Sequence, residues 1–191
     1  MRNIFLSFIA LSLASCSSTK KTTSVTPDKF VIENLIQFNS EELKKNYADA
    51  NVYEVIGISE EGTEELSYSV LYPDTPNELN ITWGDASRTQ IYDIRISIGG
   101  DWRSSTGIRI GTTYDELNEL NGKPISFYGF GWDYSGAVVW NKGEFEKSKL
   151  RVFLSPETEP KVKFYGDHII EASPKEIEAM NLRVQTIVYK L

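Results

Sequence analysis

Residues 111–124 read GTTYDELNELNGKP. Two incompatible structures fit that spelling: a phosphate-gripping loop that opens a helix, or a capped helix that stops at a glycine. Thr113 and Glu116 decide between them. Three residues apart, they make a capping box, in which the threonine hydroxyl accepts from the backbone N–H of Glu116 while the carboxylate reaches back to the N–H of Thr113. Leu117 and Leu120 then share one apolar face of a helix of about two turns. Asn121-Gly122 supplies a left-handed C-terminal cap, and Pro124 forbids continuation. A phosphate loop needs Gly-x-x-x-x-Gly-Lys-Ser/Thr opening a helix. Here Gly122-Lys123 closes one, so the helix reading holds.

The same plan stands earlier in the chain. In Asn39-Ser40-Glu41-Glu42-Leu43, Asn39 is the cap and Glu42 closes the box, and Ala48-Asp49-Ala50 takes the place of Gly122-Lys123-Pro124. After each helix the apolar period drops to two, which predicts strands at 52–58, 66–72, 79–83 and 91–98, then at 125–130, 137–140, 149–154 and 184–190. The predicted fold class is α+β, built as two tandem units of a helix plus a four-stranded antiparallel sheet, at residues 30–99 and 100–191. The second unit carries an insert at 155–183, with a candidate strand at 161–165 and a short helix opened by Ser173-Pro174. One irregular sheet domain is the alternative.

The order Gly111, Thr113, Glu116, Leu117, Leu120, Gly122, Pro124 resembles the signature of the SmpA/OmlA lipoproteins of outer-membrane β-barrel assembly and of the secreted β-lactamase inhibitor protein. In those families a Gly-Met-Thr turn opens the helix and Leu-Leu-Gly-x-Pro ends it. This chain departs at Thr112, which replaces the Met, and at Asn121, which replaces the second Leu. The matched residues are capping chemistry, so the resemblance implies a shared helix-plus-sheet unit and not a shared partner. In the wording "LNGKP" and "GFGWDY" the chain also resembles uncharacterised lipoproteins of Bacteroidota.

Residues 1–15 read as a lipoprotein signal peptide. Arg2 supplies the positive end, residues 4–13 (IFLSFIALSL) form a short apolar run, and Leu13-Ala14-Ser15-Cys16 resembles a lipobox, which implies acylation of Cys16. The run is too short for a bilayer of about 30 Å, which takes about 20 residues. Residues 16–29 are the acylated cysteine and a polar tether, too poor in apolar side chains to order itself. Ser17 follows the cysteine where an Asp commonly retains lipoproteins in the inner membrane, which favours a lipid-anchored place in the outer membrane, facing the periplasm. Cys16 is the sole cysteine of 191 residues, so the fold stands on its hydrophobic core and not on disulfides. At a net charge of −7, without a basic block, the chain is repelled by nucleic acid, which needs clustered Lys and Arg.

Catalytic material is thin. His168 is the one histidine; with Asp167 beside it a Ser–His–Asp arrangement is formally available, but no Gly-x-Ser-x-Gly marks a serine. Glu60 to Glu65 lack the alternating spacing of a calcium loop and read as a hairpin tip. No metal or other cofactor is expected.

One stretch exceeds background: residues 127–136, FYGFGWDYSG. Phe130, Trp132, Asp133 and Tyr134 are the candidate binding residues, an aromatic platform for a glycan or protein partner. Equally, Phe127 and Phe130 suit a core, the glycines suit close approach, and Asp133 suits a turn cap. The function expected is a lipid-anchored envelope module that binds or scaffolds a protein or glycan. A carboxylate-dependent glycan hydrolase using Asp133 or Glu144 is the alternative, although its acid–base pair is not recognisable.

Overall fold

Three short helices lie against an antiparallel sheet in the computed structural model, which describes residues 28–58 and 65–191. The signal, lipobox and tether expected up to residue 27 and most of the hairpin tip expected at Glu60 to Glu65 lie outside the described residues.

Helix α1 (Ser40–Asn46) starts where the capping box places it, with the Asn39 side chain accepting from Glu42 N and the Glu42 carboxylate accepting from Asn39 N. A 3-10 turn at Ala48–Ala50 leads into strand β1 (Tyr53–Ile58). A meander follows: β2 (Glu65–Leu71), β3 (Leu79–Trp83) and β4 (Ile91–Ile96). The chain then runs to α2 (Tyr114–Asn121), β5 (Ser126–Phe127), β6 (Val138–Val139), β7 (Leu150–Pro156), α3 (Pro174–Met180) and β8 (Leu182–Lys190).

The α+β class is the one the periodicity predicts, but the strands do not group as four and four. One sheet runs β1-β2-β3-β4-β8-β7, and β5 pairs only with β6. The last strand, β8, closes the sheet by pairing antiparallel with β4 (Ile94 opposite Tyr189, Ile96 opposite Ile187) and with β7 (Val152 opposite Ile187). Period-two alternation sends Leu71, Leu79, Ile81, Ile94, Ile96, Val152 and Ile187 to one face, where they meet Leu43 of α1, Leu117 of α2 and Met180 of α3 in the buried core. Each such side chain contributes roughly 1.5–3 kcal/mol by leaving water. Trp83 joins them because its indole N–H finds the hydroxyl of buried Ser69 at 2.9 Å.

Trp102 lies on the link between the two halves of the chain. Its ring packs among Phe30, Tyr47 and Tyr72, all from the first half of the chain, and its N–H donates to Asn77 O at 2.8 Å. In the insert, the helix opened by Ser173-Pro174 forms, with its own capping box to Glu176. The segment predicted as a strand at 161–165 is instead a 3-10 turn, Val162–Phe164, that buries Phe164.

Candidate functional site

The aromatic stretch is held from both sides. Tyr128 N donates to Ala137 O, while Gly129 N and Phe130 N donate to the carbonyls of His168 and Phe164; Gly166 N and Ile170 N return the bonds to Phe130 O and Phe127 O. The insert thus backs the β5–β6 ribbon through two isolated bridges, Tyr128 opposite Ile169 and Phe130 beside Tyr165. At the turn's exit Gly136 has φ +70, and a Cβ there would stand 1.9 Å from Leu154 O, so only glycine allows the turn to rest on β7. Leu154 N in turn donates to Gly136 O at 2.8 Å.

This frame sorts the candidate residues. Phe130 is buried and stacks with Phe127 at 5.9 Å, so it belongs to the core and not to an accessible surface. Trp132, Asp133 and Tyr134 project from the turn. Trp132 is half-buried, its orientation set by an indole N–H bond to Gly129 O at 2.9 Å. It lies between two tyrosines, Tyr128 at 5.7 Å and Tyr134 at 5.4 Å between ring centroids, making a ridge whose outer member, Tyr134, is 60% exposed. Tyr165 of the insert is exposed nearby, its ring against Gly131; sequence reasoning missed it because it reaches the ridge only through the insert's return.

Asp133 does not cap the turn as expected. Ser135 closes it, its hydroxyl accepting from Gly131 N at 3.2 Å and its N–H donating to Trp132 O at 3.0 Å. Asp133, in the turn's interior, faces solvent. His168 is exposed and contributes its backbone carbonyl to the ridge's support. Glu144 lies on a different loop, where its N–H donates to Asn121 O.

Two clefts of about 470 and 570 Å³ flank Tyr114 and Ile177, between α2 and α3. Neither is lined by Asp133, Glu144 or His168. Burial raises the Tyr114 phenol above its ordinary range, and its hydroxyl is spent on Ile125 O at 3.1 Å. Among the described residues no group of three or more His, Cys, Asp and Glu side chains could hold a metal ion.

No family model matches the chain, and no curated protein matches it. Among solved structures it is similar to the uncharacterized protein yfeY from Escherichia coli, at 16% identity and a TM-score of 0.47, over 78% of this chain and 88% of that one.

Proposed function

We propose that this chain is a lipid-anchored lipoprotein of the cell envelope that binds or scaffolds a protein or glycan partner, with the ridge Tyr128–Trp132–Tyr134 as its contact surface. The observation that carries the reading is a tyrosine 60% exposed at the end of a row of aromatic rings, on a turn fixed by backbone bonds to two other segments. Rigid aromatic faces lose little entropy on contact and bury much surface, the profile of binding hot spots. Address comes from the sequence: the box ending at Cys16 supports acylation, and Ser17 supports the outer membrane, facing the periplasm. No helix among the described residues is long and apolar enough to cross a membrane, so attachment in this reading rests on the lipid.

The test uses a feature of the tryptophans. Trp83, Trp102 and Trp140 are buried, whereas Trp132 is partly accessible, so a fluorescence change on binding reports chiefly Trp132. Muropeptides and solubilised envelope proteins are the two sets of probes. Capture in the variants is read by retention of the probe on immobilised protein, which does not need Trp132; capture lost in Trp132→Ala/Tyr134→Ala and kept in His168→Ala supports the reading. Capture that survives in a folded double variant confines the ridge to a structural role.

A further inference from the structure

Lys29 shows what aromatic rings and a carboxylate do together in this chain. Its Nζ lies over three rings, Tyr72 at 5.5 Å, Phe30 at 5.7 Å and Tyr47 at 5.8 Å from the centroids, and bonds both carboxylate oxygens of Asp49 at 2.6 and 2.5 Å. The ring faces turn their negative side to the ammonium, and the carboxylate supplies the counter-charge. The bond to Asp49, and then that to Tyr72, hold the Lys29 amine above its ordinary range.

The ridge has the same set of groups turned outward. Trp132 stands between Tyr128 and Tyr134, and Asp133, exposed, separates Trp132 from Tyr134 in the turn. Tyr165, 43% exposed, adds a further ring from the insert, held against Gly131. Asp167 is exposed in the same return of the chain, between Gly166, whose N–H bonds Phe130 O, and His168, whose carbonyl accepts from Gly129 N. Among the described residues no ion pair engages Asp133 or Asp167. The insert's lysines are committed elsewhere: Lys161 and Lys163 pair with Glu176 at 3.1 and 2.8 Å, and Lys163 also lies over the ring of Phe164 at 4.7 Å.

We propose that the ridge receives an arginine side chain of a protein partner, its guanidinium stacked on the Trp132 and Tyr134 rings and paired with Asp133, an assignment that rests on the ridge being the contact surface of this protein. Arginine is favoured over lysine because its planar group lies flat on a ring while its N–H fork meets a carboxylate, and because a guanidinium is more weakly hydrated than an ammonium and leaves water more readily. A neutral glycan would stack on the same rings but make no use of the two carboxylate charges. The net charge of −7 acts in the same sense at longer range, steering a basic partner toward the protein.

A chemical-shift titration of the full chain, read at the backbone amides of residues 130–135, tests this with three probes: a capped Gly-Arg-Gly-Arg-Gly peptide, the same peptide with citrulline for arginine, and chitotetraose. The arginine peptide is expected to move those amides and to bind at least about fivefold tighter than its citrulline twin. Asp133→Asn should weaken the arginine peptide by about two- to fivefold. Glu119→Gln, which removes the same charge from an exposed position on α2, should change it by less than about twofold, because salt screens a charge away from the contact. Equal affinity for the arginine and citrulline peptides, or indifference to Asp133→Asn, overturns the proposal. If chitotetraose or the citrulline peptide moves the amides in that case, the ridge remains a contact surface and its occupant is a glycan or a neutral protein segment. If no probe moves them and neither muropeptides nor envelope proteins are captured, the contact-surface reading falls as well.

Discussion

Asn121 is the buried polar residue on which the end of α2 depends. Its amide donates to the carbonyls of Lys123 and Trp140, both at 2.9 Å, and its side-chain oxygen accepts from Phe145 N at 3.4 Å. The sequence suggests Leu117 and Leu120 as the inward face, yet Leu120 is exposed and Asn121 takes the inward position one turn from Leu117. Hydropathy could not find this, because a polar residue reads as outward unless its partners, here on a distant loop, are known. Asn121→Leu should cost about 1–3 kcal/mol by leaving the N–H of buried Phe145 unpaired; urea denaturation measures it. The neighbouring cap was legible. Gly122 has φ +65 with open space around it, so Gly122→Val should cost about 1–3 kcal/mol through backbone strain alone. Lys123→Ala, on an exposed side chain, should stay within about 0.5 kcal/mol.

The helix starts were legible because capping is local chemistry: Asn39, Thr113 and Ser173 each accept from the backbone three residues on. The strands of the first half were equally clear, since turn residues bound each apolar run, although only β3 alternates over its whole length. β5 was predicted too long, because Gly129 and Phe130 bond to the insert, a pairing no local pattern announces. The caps also set an acid limit. Backbone and hydroxyl bonds from Thr113 hold Glu116 below the usual carboxylate range, and Lys163, with Ser173 and Lys161, holds Glu176 well below it. A folded-state pKa below the unfolded one means stability that is complete above the unfolded value, near 4.5, and lost as pH falls through the folded one. Melting temperature should therefore be flat near neutrality and drop below about pH 4.5. Glu176→Gln should lower the neutral plateau and shallow the acid slope.

The pairing of β8 with β4 turns two sequence-defined halves into one sheet, and no single-sequence pattern reveals which distant strands meet. Hence the four-and-four grouping read from the repeat did not form, although nearly every strand did. Removing residues 182–191 should leave no stable remnant, since it strips β4 and β7 of a shared partner and empties Leu182, Val184 and Ile187 from the core; circular dichroism of the truncated chain checks this. At the other terminus, Cys16→Ala is expected to release the protein from membranes, because acyl chains contribute about 0.8 kcal/mol per buried CH₂ and two or more anchor stably; fractionation after a high-salt wash decides. The strand that occupies an interior place in the sheet is also synthesised after both of its neighbours. Until it emerges, β4 and β7 each present an unpaired ladder edge, and the α2–β7 region has nothing to lock onto. If the chain is secreted as proposed, this order of synthesis is its own safety catch: the body cannot close before β8 is through, and a chaperone on the far side meets two open edges at once.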